Sequence, residues 1–258
     1  MSNRIKWAFI VIGILIFLIG LLPSCSAVSE EEYSRVKSEL SRLQEQLEEY
    51  QTNAGVNKPP SERTVIDGFQ PANPTVRDKA ASVVAEAPTD IDANSEEWKI
   101  WRVNYWVSQN IRRVSDPIGQ EYLAYASETL ETKAGDCDDF SILLTSMYEA
   151  VGLDAAIVYI DTNEDGEADH MASIVYYPRS KDFFIAMEKG IMDKMGLKSR
   201  TGFLTIRFWD ASSLYQVLGK YDKGIWIIVD PVMATVREIV GYTTHEPYIA
   251  TEFVDVGE

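Results

Sequence analysis

The chain is poor in the residues that build metal or disulfide frameworks: its 258 residues include two cysteines and two histidines. Two cysteines cannot supply a disulfide scaffold, and no Cys/His spacing matches a zinc site. There is no phosphate loop and no internal repeat, which removes P-loop nucleotide chemistry and solenoid architectures. Cationic residues are scarce as well. With 24 Lys and Arg against 40 Asp and Glu, the formal charge is -16. That balance argues against nucleic acid or anionic surfaces as partners and suits cationic substrates, calcium or a salty exterior. Hydrophobic residues make up 46% of the chain, enough for one domain with an ample core.

One long apolar run is present, at residues 7–22, preceded by Arg4 and Lys6. As a helix it would span roughly 24 Å, slightly short of a ~30 Å bilayer core. Positive charges followed by such a run mark a secretory signal or an anchor. Leu22-Pro23-Ser24-Cys25 resembles a lipoprotein box with Cys25 as the lipid carrier; an uncleaved signal anchor and cleavage after Ala27 are the other two routes. All three put the remainder outside the cytoplasm. Residues 1–28 are therefore read as the membrane anchor. Tyr33, Val36, Leu40, Leu43, Leu47 and Tyr50 follow at alternating spacings of 3 and 4, a short heptad seam. Residues 29–51 are read as a coiled-coil stalk able to pair two chains into a homodimer, or as a lone amphipathic helix. Residues 52–74, rich in Asn, Gly, Pro and Ser, read as a linker, and 75–258 as the functional domain.

Within that domain the pattern runs from helices to strands. Helices are expected at 75–87, 95–113, near 121–130 and at 136–151, with Ser95 capping the second. Strands dominate after Ala155, with short helices near 187–195 and 211–218. This order is an α+β pattern.

The richest motif is Gly135-Asp136-Cys137-Asp138-Asp139-Phe140. From Phe140 the apolar residues Leu143, Leu144, Met147 and Val151 follow helical spacing, Asp136 is a natural N-cap, and Gly152 supplies the stop. Cys137 thus stands on the first turn of a buried helix, where free N–H groups and the helix dipole favour thiolate. His170 opens an expected strand at 170–177, and Asp230 ends another, 224–229, with Pro231 stopping the pairing. A thiolate nucleophile, an imidazole base and an orienting carboxylate are the parts of covalent acyl transfer. The second histidine, His245, lies in a loop-like context near the C-terminus.

Cys137, His170 and Asp230, in that order and in these contexts, resemble the transglutaminase-like superfamily, over roughly residues 75–240. The resemblance implies a papain-like core in which the nucleophile helix packs on an antiparallel sheet. The paired acids after the cysteine resemble the bacterial and archaeal cysteine-protease-like branch. It implies attack of Cys137 on a protein or peptide amide, with His170 protonating the departing amine. Water then gives hydrolysis and an amine gives transamidation; hydrolysis is the favoured expectation, and a silent binding domain on a stalk is the alternative of another class. One departure is the long stretch 178–223, read as extra strands (183–187 and 203–209) or a lid, which leaves Asp182 as a rival orienter. Gln109 or Trp106 could donate to the oxyanion.

Three aspartates beside a thiol disfavour its ionisation, and a divalent cation would reverse that penalty. The turn before His170 offers Asp161, Asn163, Asp165, Glu167 and Asp169 with Gly166 between, an arrangement similar to a calcium loop, although Ala172 stands where an EF-hand has glutamate. It is read as a calcium-holding hairpin loop or a solvated turn. The resemblance adds a second calcium position at Asp136 and Asp138. No organic cofactor is expected.

Overall fold

The computed structural model describes residues 33–39, 42, 58, 62–197, 206–234, 236–243 and 245–255. The expected anchor at 1–28 and most of the 29–51 stalk lie outside these residues. Residues 33–39 are helical, with Tyr33 and Val36 exposed. Among the described residues no helix is long and apolar enough to cross a membrane.

The packed unit begins before residue 75. The expected linker contains α1 (Val65–Gly68), closed by a capping box in which Thr64 and Asp67 satisfy each other's backbone N–H groups. Val65 is buried, and Gln70 donates its backbone N–H to Ser146 Oγ at 3.0 Å. Composition reads as linker here, yet Val65, Gly68 and Gln70 are buried and Gln70 Oε1 accepts the Ser127 hydroxyl, so the segment is docked. Helix α2 (Pro74–Val84) starts at Asn73, whose side chain accepts from Thr75 N–H, and buries Val76, Ala80 and Val83 along one face. Helix α3 (Glu96–Asn110) starts at Ser95, as expected, and seats Trp98 and Trp101 in the core. After α4 (Ala126–Thr132), α5 (Cys137–Ala150) is buried at every position from Asp139 to Tyr148. It runs through the core rather than over it.

The sheet that receives α5 has five antiparallel strands in the order β5-β6-β4-β3-β7: β3 (Ala155–Asp161), β4 (His170–Tyr177), β5 (Phe208–Asp210), β6 (Ile225–Val229) and β7 (Ile249–Asp255). Alternation along the central strands splits the apolar residues between two faces. Ala155, Ile157, Met171, Val175, Ile227 and Val229 join the core around α5. Ala156, Val158, Ile160, Ala172, Ile174 and Ile228 meet α7 (Ala211–Leu218) and Tyr248 on the other face. Both faces are covered, which explains why β3 and β6 read as continuous apolar runs. On the first face, Thr145 Oγ1 donates to Ser173 Oγ at 2.9 Å and ties α5 to β4.

The stretch 178–223 departs from its strand expectation. Residues 183–187 belong to a helix, α6 (Lys181–Lys194), because Ser180 caps it and Phe184, Glu188, Ile191 and Met192 recur at helical spacing on its buried face. Of 203–209, residues 203–205 lie outside the described set, and β5 is a short edge strand. Strand β7 falls in the strand-rich region expected after Ala155, although no individual strand was assigned there.

Glu188 is buried and accepts the Val240 N–H at 2.7 Å; burial pushes its carboxyl up to about 8. A folded-state value above the unfolded one means that its stabilising contribution is full below ~4.5 and is lost as pH rises through 8. Glu188→Gln keeps the acceptor and removes the titration. We predict a thermal midpoint at pH 9 higher than the parent's by at least about 2–4 °C, the response to ~1 kcal/mol at this size. A parental midpoint at pH 9 would contradict the assignment.

Candidate active site

Two short strands build the cysteine loop. β1 (Arg112–Arg113) pairs in parallel with β2 (Ala134–Gly135), and Val114 N–H adds a bond to Gly135 O at 2.8 Å. The pairing lays the loop after β1 beside the start of α5. Gly135 has no room for a side chain, since a Cβ would collide with the carboxyl arm of Asp139. Asp139 fills that space and accepts Ala124 N–H at 2.8 Å. Asp136 caps without a side-chain bond of its own.

Cys137 is a free, half-buried thiol that donates to Asp138 Oδ1 at 3.3 Å, and the backbone amide of Met171 acts in the direction that favours its ionised form. Met171 is the residue after His170. The sheet then brings the third group. In the β4–β6 pair Ser173 faces Val229, so the end of β6 lies beside the start of β4. Asp230, one residue beyond β6, meets His170, the first residue of β4: His170 Nε2 lies 2.8 Å from Asp230 Oδ2, both side chains buried. Asp230 Oδ2 also accepts the Tyr248 hydroxyl at 2.8 Å, and Oδ1 accepts Val232 and Met233 N–H groups at 3.1 Å.

The surroundings of the sulfur are anionic. Burial, followed by the Asp138 and Asp136 carboxylates, pushes the Cys137 thiol well above its ordinary value. Burial also raises Asp138, assisted by its bond with Glu121 and the charge of Asp136. Asp136 is raised by burial and then by Asp116 and Glu121, and burial lifts Asp139 to about 7. Asp116 and Glu121 come from the loop after β1, where Asp116 accepts Tyr122 N–H. Neither was singled out as a site residue in the sequence, because only the β1–β2 pairing carries them to the cysteine.

This cluster fits a hard cation. Ligand atoms of Asp136, Cys137 and Asp138 lie within 4.8 Å of one another, the one such group among the described residues. Asp136 Oδ1 is buried without a partner, and carboxylate oxygens are the donors calcium takes. The 161–169 loop is organised differently. Asp161 accepts N–H groups of Asn163, Glu164 and Gly166, and Asp169 accepts from Thr162 and Asn163. Asn163 Oδ1 receives Asp165 N–H, and Asp165 Oδ1 receives Glu167 N–H. The expected ligands Asp161, Asn163, Asp165 and Asp169 thus accept hydrogen bonds from within the turn, which organise the hairpin, and Glu167 is exposed.

The remaining expectations separate cleanly. Asp182 is exposed on α6 while Asp230 holds the histidine. His245 Nε2 lies 3.2 Å from Thr162 O. Gln109 is exposed beside Ser108, and Trp106 sits under the Lys79 ammonium, 5.3 Å from its ring centroid.

A helix N-terminus bearing a thiol, laid on an antiparallel sheet that supplies a buried His–Asp pair, defines an α+β thiol-bearing fold. The chain belongs to the transglutaminase-like superfamily, whose family model matches residues 77–231. No curated protein matches the sequence. Among solved structures, a provisionally named cysteine protease from Cytophaga hutchinsonii is 19% identical over 49% of this chain and 43% of its own, with a TM-score of 0.31. A provisionally named protease from Parabacteroides distasonis is 14% identical over 39% of this chain and 20% of its own, TM-score 0.32. The chain thus spans less than half of either protein. Calcium-bound LapG from Legionella pneumophila is 22% identical over 41% of this chain and 68% of its own, TM-score 0.27, and an EGTA-treated form is similar.

If Asp138 holds the proton on sulfur, Asp138→Asn must release it. With Cys25→Ser leaving one thiol, and in the presence of a chelator, alkylation of Cys137 at pH 9, above the value of about 8 to which burial raises Asp138, is predicted to be slow. In Asp138→Asn it should run at least about tenfold faster, the effect of one pKa unit. Equal rates would show that the neighbouring charge does not control the thiol.

Proposed function

We propose that this chain is a thiol hydrolase of peptide or protein amide bonds, working through Cys137, His170 and Asp230. The observation that carries the reading is the buried His170–Asp230 bond, with the Cys137 sulfur against the adjoining Met171 amide. Nε2 is committed to Asp230, so Nδ1 is the nitrogen left for the sulfur's proton. His170 takes that proton, and the thiolate attacks the carbonyl carbon of the bound amide. Backbone N–H groups at the start of α5 receive the oxyanion. The C–N bond breaks as His170 passes its proton to the departing amine, leaving an acyl-thioester. Water, deprotonated by His170, then displaces the thiol. An amine in place of water would give transamidation. Hydrolysis is preferred because the acids after Cys137 match the protease-like branch of the family.

Asp136 and Asp138 would hold a calcium ion, with Asp116 and Glu121 facing the same cluster. Bound there, it would supply positive charge that lowers the cost of forming the thiolate. We place the domain outside the cytoplasm, tethered through residues 1–28 and paired through the 29–51 heptads. The supports for that are Arg4 and Lys6 before the apolar run and the 3-4 spacing that follows it.

The test is fragment release from casein compared with incorporation of a fluorescent amine. Release should dominate, fall on chelation and return with calcium. Cys137→Ala and His170→Ala should abolish it, Asp230→Asn should lower it by about 10²-fold or more, and His245→Ala should retain it. Dominant amine incorporation would favour the transferase. With calcium present, neither activity together with an unreactive Cys137 would leave the binding-domain reading.

A further inference from the structure

We propose that Tyr248 is a positioning residue of this site: its hydroxyl locks the Asp230 carboxylate and sets how strongly that carboxylate holds the His170 ring. The role rests on the hydrolase reading above. Asp230 Oδ2 receives two donors, His170 Nε2 and the Tyr248 hydroxyl, each at 2.8 Å. Oδ1 receives two more, from Val232 and Met233, each at 3.1 Å. A carboxylate has about four lone-pair sites, so all are occupied and no second rotamer keeps the set.

The tyrosine is itself confined. Its ring meets His170 edge-on, with centroids 6.2 Å apart and planes at 66°. The Arg207 guanidinium carbon lies 4.7 Å from its ring centroid, and Arg207 is held in turn by His245 O at 3.0 Å. Burial and the Asp230 charge keep the phenol above its ordinary value, so the hydroxyl stays a donor. Tyr248 lies beyond the residues 77–231 that match the family. The clamp is therefore supplied by the C-terminal segment leading into β7.

Filling space and donating a proton are separable, because phenylalanine does only the first. An O–H bond to Oδ2 drains negative charge from the oxygen that orients the imidazole. Without it, Oδ2 becomes a stronger acceptor for Nε2–H but a less fixed one. The geometry thus trades pull for orientation.

The experiment is Tyr248→Phe in the full chain, read by the resonance of the His170 ring proton bonded to Asp230. With only two histidines present, His245→Gln assigns the signal. The resonance should move downfield in Tyr248→Phe. The value of kcat should fall about 10- to 100-fold at unchanged KM, the rate equivalent of one charge-assisted bond. In an Asp230→Asn background, Tyr248→Phe should change neither. An unmoved resonance overturns the proposal, whatever kcat does. That reading needs no turnover, so an inactive parent protein would count against the hydrolase and not against the clamp.

Discussion

A buried carboxylate is costly unless its oxygens are paired, and Asp230 has every oxygen paired. Two donors come from its own turn, one from the start of β4 and one from the C-terminal segment. These bonds join parts of the chain that are far apart in sequence at one point of the sheet. The antiparallel register of β4 and β6 makes the meeting unavoidable, since the strand that ends at Val229 must finish beside the strand that begins at His170. Helix α5 is tied to β4 by Thr145 and Ser173, which helps to fix where its first residue lies.

At that first residue two effects oppose each other. The helix start and the Met171 amide favour a negative sulfur, whereas burial and the carboxylates of Asp138 and Asp136 disfavour it. The second set is the larger, and the thiol's pKa is raised. Asp138 and Glu121 illustrate the same constraint, because two hydrogen-bonded carboxyl groups require a proton or a cation between them. The acid cluster therefore makes the nucleophile conditional on what neutralises it. A hydrolase with such a sulfur would be latent until that charge is met.

Helix α5 and strands β3, β4 and β6 were legible residue by residue. Phe140, Leu143, Leu144 and Met147 recur at helical spacing, and the strands are apolar runs bounded by turns. The pairing of His170 with Asp230 was legible because only two histidines were available and one of them opens a strand. Residues 183–187 misled because a short apolar run fits strand or helix equally, and the Ser180 cap and the Glu188 position decide it. The hairpin loop shows a different ambiguity. A ladder of turn bonds and a calcium loop call for the same Asp, Asn and Gly residues, and Asp161 accepts three turn amides in either case.

Local order needs only neighbours, so spacing, caps and turn residues determined by themselves where α5 begins and where β4 opens. Tyr248 and Glu121 could not be found that way. Their roles depend on a C-terminal segment crossing the second face of the sheet and on a two-residue parallel pairing, neither of which has a local signature. The tertiary structure alone decided which carboxylates surround the sulfur and which hydroxyl holds the aspartate. Charge–charge and hydrogen-bond energies act through distances in space, and those distances exist only once the strands are paired.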